Sequence, residues 1–315
     1  MYHIAMPSRF IDHWIARFLS ERPVRANSLI ITVYGDSIAA HGGSVWLGSF
    51  IRLVQPLGLN ERMVRTSVFR LVKENWLVAE PIGRRSYYSL TAVGRRRFEH
   101  AYRRIYDAPR ADWNGEWQLV LSSGTLPPAQ RDALRKELLW EGFGNIAPGV
   151  MAHPAANSES LLDILEDSGA RDKVVVMQAR ALGTSASRPL QDLVHECWGL
   201  ATIADDYKRF IERFRPPLKA MKGARQIDPQ QCFVLRTLLM HEFRRVQLRD
   251  PQLPQQLLSA DWPGHTAREL CREIYRLSQC GAQQHLMEVL ETAQGPLPEA
   301  APYFYSRFGG SLSKC

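Results

Sequence analysis

Apolar residues recur at helical spacing through most of the chain and bunch into short extended runs at a few places. Phe10, Trp14 and Phe18 fall on one helical face, so residues 1–25 predict a leading amphipathic helix. The run after Asn27 and Ser28 is β-branched and locally ambiguous, either a strand or a capped helix reaching Ala40, with Gly42-Gly43 closing the helix. From Trp46 the pattern sharpens. A helix over Trp46–Val54 meets the breaker Pro56-Leu57-Gly58, and Asn60 then caps a second helix running to Glu74. Val64, Val68, Leu71 and Val72 give that helix an inner face. Two short runs, Trp76–Glu80 and Ser86–Leu90, flank Pro81-Ile82-Gly83-Arg84-Arg85 and predict a hairpin, and Thr91 caps a helix to Tyr106. Helix, turn, helix and hairpin in this order describe a winged helix.

Past Asp107–Asp112, a polar connector with a proline, the periodicity changes. Strands are expected at Trp117–Ser122, Ile146–Ala152 and Lys173–Ala181. Helices are expected at Pro127–Phe143 and from a Ser158 cap to Ser168. This β-α-β-α-β order suits a small ferredoxin-like sheet with helices on one face. From Pro189 the pattern is helical. A helix over Leu190–Phe214 should stop at Pro216-Pro217, and another should open at Asp228-Pro229 and reach Arg249. Two more are expected at Ala267–Leu277 and Gln283–Thr292. The fold class is therefore α+β and multidomain. The boundaries are 1–107 for the winged helix, 112–183 for the ferredoxin-like domain and 189–315 for a helical domain.

Charge changes the picture at one place. Val45–Tyr106 holds 12 Lys and Arg against 4 acids, a local +8 that equals the net charge of all 315 residues. A basic surface concentrated on one motif releases counterions from DNA, whereas a dispersed one does not. The outer face of the second helix carries Arg62, Arg65, Thr66, Phe69, Arg70 and Lys73, and the hairpin tip carries Arg84 and Arg85. Arg62, Arg65, Thr66, Phe69 and Arg70 have the chemistry to read base edges in a major groove, and Arg84 and Arg85, with Lys73, to hold phosphates or the minor groove.

Other chemistry is weaker. The hydrophobic run into Gly35-Asp36-Ser37 resembles the nucleophile block of GDSL or SGNH esterases, with Asp192 and His195 as orienter and base. The oxyanion residues that such enzymes need on later loops are missing, so an enzyme is not expected. Five cysteines without CxxC spacing suggest neither a disulfide framework nor a metal site. No cofactor is expected. No apolar run reaches the ~18–20 residues of a membrane span and no signal peptide is evident, so a cytoplasmic protein is expected.

Ordered blocks along the chain carry a resemblance to a known family. They include YGDS at Tyr34–Ser37, WLGS at Trp46–Ser49, ERMVRTSVFRL at Glu61–Leu71 and IGRRSYYSL at Ile82–Leu90. WNGEW at Trp113–Trp117, WEGFGNIAP at Trp140–Pro148, ECW at Glu196–Trp198 and FRP at Phe214–Pro216 continue the series. HEFRRVQLRDPQLP at His241–Pro254, DWPGHTAR at Asp261–Arg268 and FGG at Phe308–Gly310 complete it. In these the chain resembles the PaaX family, repressors of phenylacetate catabolism genes. The resemblance implies a winged helix, a Cas2-like middle domain and a C-terminal helical domain. It also implies a homodimer on a palindromic operator in double-stranded DNA, released by phenylacetyl-CoA. It makes Ser28–Ala40 a helix and removes Ser37 from a nucleophile elbow. A CoA thioester needs cations beside an apolar cleft, and His241, Arg244, Arg245, Arg249, Trp262 and His265 are the nearest such collection.

Overall fold

In the computed structural model, residues 8–21, 24–107, 113–122, 126–181, 189–224, 226–310, 312 and 315 are described. The chain divides into two compact units. The first comprises residues 1–107, 209–245 and 266–315, and the second residues 108–208 and 246–265. Residues from 189 onward are therefore shared between the two.

The first unit opens with α1 (Arg9–Glu21), which buries Ile11 and Phe18 and leaves Phe10 exposed. α2 (Ala26–Val33) follows, so the ambiguous segment is helical. It runs on as a π-turn over Tyr34–Ile38 and a 3₁₀ turn over Ala39–His41, and stops at Gly42 in the left-handed region. β1 (Ser44–Trp46) precedes α3 (Leu47–Val54). After the Pro56 turn, Asn60 Oδ1 accepts the Met63 N–H at 2.9 Å and starts α4 (Glu61–Lys73). Asn75, at φ +58°, ends it. β2 (Leu77–Ile82) and β3 (Arg85–Leu90) are longer than the sequence pattern indicates, with Pro81, Ile82 and Arg85 inside the ladder. The connection shrinks to Gly83-Arg84. Gly83, at φ +59°, supplies the positive φ that a two-residue hairpin turn demands. β1 pairs with the other side of β3, giving the antiparallel order β1-β3-β2. Thr91 caps α5 (Ala92–Tyr106) by accepting the Gly94 N–H.

The second unit contains β4 (Glu116–Ser122), α6 (Pro128–Glu141), β5 (Gly144–Ala147), β6 (Val150–His153), α7 (Ser158–Asp167) and β7 (Val174–Arg180). The single strand expected over 146–152 is thus a hairpin. Pro148-Gly149 forms its turn with Gly149 at φ +73°, the pairing a type II turn prefers. The order becomes β-α-β-β-α-β, and the antiparallel sheet β5-β6-β4-β7 is ferredoxin-like. Val120, Leu134, Leu138, Phe143, Leu161 and Leu165 form its core. The cap of α7 is Asn157 rather than Ser158, because its Oδ1 accepts from both Glu159 and Ser160. The connector at 108–112 and residues 1–7 of the leading helix lie outside the described residues.

Three expectations for the helical part need correction. First, α8 (Leu190–Trp198) ends at Gly199 in the left-handed region, and α9 (Leu200–Gly223) runs straight through Pro216-Pro217. Two prolines forfeit two backbone hydrogen bonds. Burial of Phe210, Phe214 and Met221 along one side of α9 outweighs that loss. Second, α10 (Pro229–Gln247) is followed by one long helix, α11 (Pro263–Val289), where two were expected. Gly281 does not break it. A Cβ there would lie 2.7 Å from Cys232 Sγ, so this glycine permits close packing of α11 on α10. Third, Cys280 and Cys315 form a disulfide that the odd cysteine count had argued against, with Cys197, Cys232 and Cys271 outside it. β8 (Glu291–Thr292), β9 (Gly295–Pro296), α12 (Pro302–Tyr305) and α13 (Arg307–Gly310) finish the first unit.

Candidate nucleic-acid interface

The amphipathic pattern of α4 fixes which side chains it presents. Val64, Ser67, Val68 and Leu71 are buried and Val72 is half-buried, while Arg62, Arg65, Thr66, Phe69, Arg70 and Lys73 are all exposed. Met63 joins them, a residue the sequence reading passed over. Phe69 stands 59% exposed, with the Lys73 ammonium 4.7 Å from its ring centre. Such a ring on a cationic helix face is suited to apolar contact with a thymine methyl. Arg65 pairs with Glu61 one turn back at 2.7 Å, both more than half exposed. A pair of that kind contributes little, so Arg65 is available to a stronger acceptor.

The two arginines of the hairpin differ. Arg84 occupies the turn and is exposed. Arg85 is held: its guanidinium lies 4.0 Å from the Trp46 ring centre and pairs with Glu291 at 2.8 Å. Arg52 pairs with the other oxygen of Glu291 at 2.9 Å and lies 5.2 Å from the same ring. The hydrogen bond from Arg85, joined by that from Arg52, holds the Glu291 carboxyl below its usual range. Sequence reasoning missed Arg52 and Glu291, whose separation of 239 residues leaves no local signal. On the other side of the hairpin Arg97 lies 4.8 Å from the Trp76 ring, and Trp76 packs edge-on against Phe98 at 5.4 Å.

Beneath this surface lies an ionic centre. Asp36, in the π-turn, is 3% exposed. Its Oδ1 accepts from Tyr106 at 2.6 Å and Tyr275 at 2.9 Å, and lies 3.3 Å from Arg307 Nη1. Arg236 lies 3.3 Å from Oδ2. Burial alone would push this carboxyl up, but Arg236 and Arg307 outweigh it and hold the group below the ordinary range. Ser37 donates to Asp36 and accepts from Arg236 at 3.1 Å, with no exposed surface. The esterase reading is thereby overturned. Ser37 is sealed in a charge cluster, and Asp192 and His195 belong to the other unit, exposed on α8.

The six residues proposed for an acyl-CoA are divided between the units. His241, Arg244 and Arg245 lie in the first, Arg249, Trp262 and His265 in the second. The His241 ring is buried 3.0 Å from Thr32 Oγ1, and burial drives its pKa down to about 3. Arg244 donates to the Ser28 carbonyl and hydroxyl, both at 2.8 Å, and Arg245 pairs with Glu242. Arg249 pairs with Asp206, Trp262 packs edge-on against Tyr207, and His265 is exposed. Of the six, Arg244 lines a cavity.

Fold and surface together define a winged-helix protein carrying a ferredoxin-like unit. Residues 25–94 match the family described as PaaX-like protein, residues 110–191 the PaaX protein central Cas2-like domain, and residues 198–288 the PaaX-like protein C-terminal domain. The chain is 40% identical over 301 residues to transcriptional repressor PaaX of Escherichia coli strain K12, covering 95% of each. It therefore belongs to the PaaX family. That relative is a regulator, in keeping with the expectation that the chain is not an enzyme. Among solved structures it is similar to the uncharacterized protein Rv0674 from Mycobacterium tuberculosis, with 25% identity and a TM-score of 0.53, covering 82% of this chain and 97% of that one.

Proposed function

We propose that the chain is a transcriptional repressor of phenylacetate catabolism genes that binds operator DNA as a homodimer and is released by phenylacetyl-CoA. The observation that carries the reading is the exposed cationic face of α4 beside a short hairpin with Arg84 at its tip. A relative named transcriptional repressor PaaX, alike over 95% of both chains, supports it. Arg62, Arg65, Thr66, Phe69 and Arg70 enter the major groove, and Lys73, Arg84 and Arg85 hold the backbone beside it. A palindromic operator needs two such helices, hence two copies. To act as a switch, the thioester binds the DNA-incompetent state more tightly than the competent one.

The test is fluorescence anisotropy on a phenylacetate-operon promoter fragment at fixed salt, with phenylacetyl-CoA, phenylacetate or CoA added. Binding relieved by the thioester is expected. Arg65→Ala should cost about 1–3 kcal/mol at one base position, and Arg84→Ala should weaken all sequences alike. Equal affinity for promoter and scrambled DNA would overturn the reading.

A further inference from the structure

Three helices of the first unit, α2, α5 and α10, leave a cleft between them with a cavity volume of about 40 Å³. Ile31, Phe98, Tyr102 and Met240 give it apolar and aromatic walls, and Arg244 and Asp36 are its charged members. Asp36 is already neutralised by Arg236 and Arg307. Among the described residues no carboxylate pairs with Arg244. Its Nη2 is spent on Ser28, and its Nε–H is buried and makes no hydrogen bond. A desolvated guanidinium without an acceptor is costly to keep, and an incoming oxygen would relieve that cost.

We propose that this cleft is a ligand site for the acyl end of an aromatic carboxylic acid, free or as its thioester, with the acyl oxygen accepting from Arg244 Nε. The site deepens the effector reading above and rests on it. At about 40 Å³ the cavity holds a water or two, whereas an apolar cavity of ~150 Å³ is known to take a benzene ring. An aryl group therefore enters only if a wall moves. Phe98 is the wall that can transmit the movement. One side of its ring crowds Gly35, where a Cβ would lie 2.7 Å away, and the ring also packs on Trp76 at 5.4 Å. Trp76 immediately precedes β2, the first strand of the hairpin. Occupation of the cleft displaces Phe98, then Trp76, then the wing. The ligand thus favours a state in which Arg84 is misplaced for DNA, which is the differential affinity a switch requires.

The experiment uses the full chain, with phenylacetate, phenylacetyl-CoA and CoA as probes. Thermal shift and tryptophan emission are read, and a Trp76→Phe variant isolates the Trp76 contribution. Ala101→Phe fills the cleft and Arg244→Gln removes the cation while keeping a polar chain; circular dichroism and DNA affinity without ligand verify their folding. The expected result is an emission change that Trp76→Phe abolishes, with affinity weakened tenfold or more in both cleft variants. Stronger binding of the thioester than of phenylacetate, or the reverse, identifies the form recognised and supports the site either way. If the thioester releases DNA from the wild-type chain and from both cleft variants at equal concentration, this site is overturned while the effector reading stands. If phenylacetate binds the cleft but no probe releases DNA, the effector reading fails and the site stands. Absence of any binding overturns both.

Discussion

Asp36→Asn is the most informative single substitution for the stability of the first unit. The carboxylate and both guanidiniums are essentially without solvent, with 3%, 0% and 0% exposure for Asp36, Arg236 and Arg307. Asparagine has nearly the same shape, and its carbonyl oxygen can still accept from Tyr106 and Tyr275. What disappears is the one negative charge that, among the described residues, pairs with the two buried cations. Breaking such a pair by removing one partner costs about 3–5 kcal/mol, against a total stability of about 5–15 kcal/mol for a domain. Urea unfolding followed by near-ultraviolet circular dichroism reads that loss directly. Adding Arg307→Met should restore a substantial part of it, since one uncompensated charge goes with the arginine. pH supplies a second readout. Because the folded pKa of Asp36 lies below the unfolded one, its contribution is complete above about pH 4. It is lost as pH falls through the folded value. Asp36→Asn should remove that acid-side dependence. A loss below 1 kcal/mol, or no relief from Arg307→Met, would refute the account of the centre as a charge-balanced cluster.

Three further outcomes are expected. Asn60→Ala removes the acceptor for the Met63 N–H and should cost about 1 kcal/mol with a parallel loss of DNA affinity, measured by thermal melting and anisotropy. His241, whose pKa is lowered to about 3, is neutral when folded, so between pH 6.5 and 3 the unfolded chain binds the extra proton and stability falls as pH falls. The loss is about 2 kcal/mol by pH 5, and His241→Asn should flatten that limb; an unchanged slope would put the burial argument at fault. Glu291→Gln frees Arg52 and Arg85 together and should tighten non-specific DNA binding at low salt, with unchanged affinity as the contrary result.

The winged helix was legible because its signals are local. Asn60, the Pro56 turn, the spacing of Val64, Val68 and Leu71, and Thr91 each act within a few residues. Exposure of the α4 cations followed from the same periodicity. What the sequence hid depends on distance. No local pattern reveals that Arg85 pairs with Glu291, or that the His241 ring lies against Thr32. Pro216-Pro217 misled for a related reason: the local cost is real, but packing of Phe214 and Met221 decides. Gly35-Asp36-Ser37 looked like catalytic chemistry because buried ionic centres and active sites draw on the same residue types.

The ionic centre also sets an order of events during synthesis. Asp36 and Arg307 are 271 residues apart, and Glu291 follows Arg52 by 239. At ~5–20 residues per second, a ribosome takes roughly 15–50 s to supply Arg307 after Asp36 has been made. Until Arg236 and then Arg307 follow, the Asp36 carboxylate lacks its two cations, and until Glu291 follows, Arg52 and Arg85 lack the carboxylate they share. DNA recognition therefore matures late, from the far end of the polypeptide. A chain that stops before Arg307 should therefore leave Asp36 with Arg236 as its one cation and be less stable than the full chain.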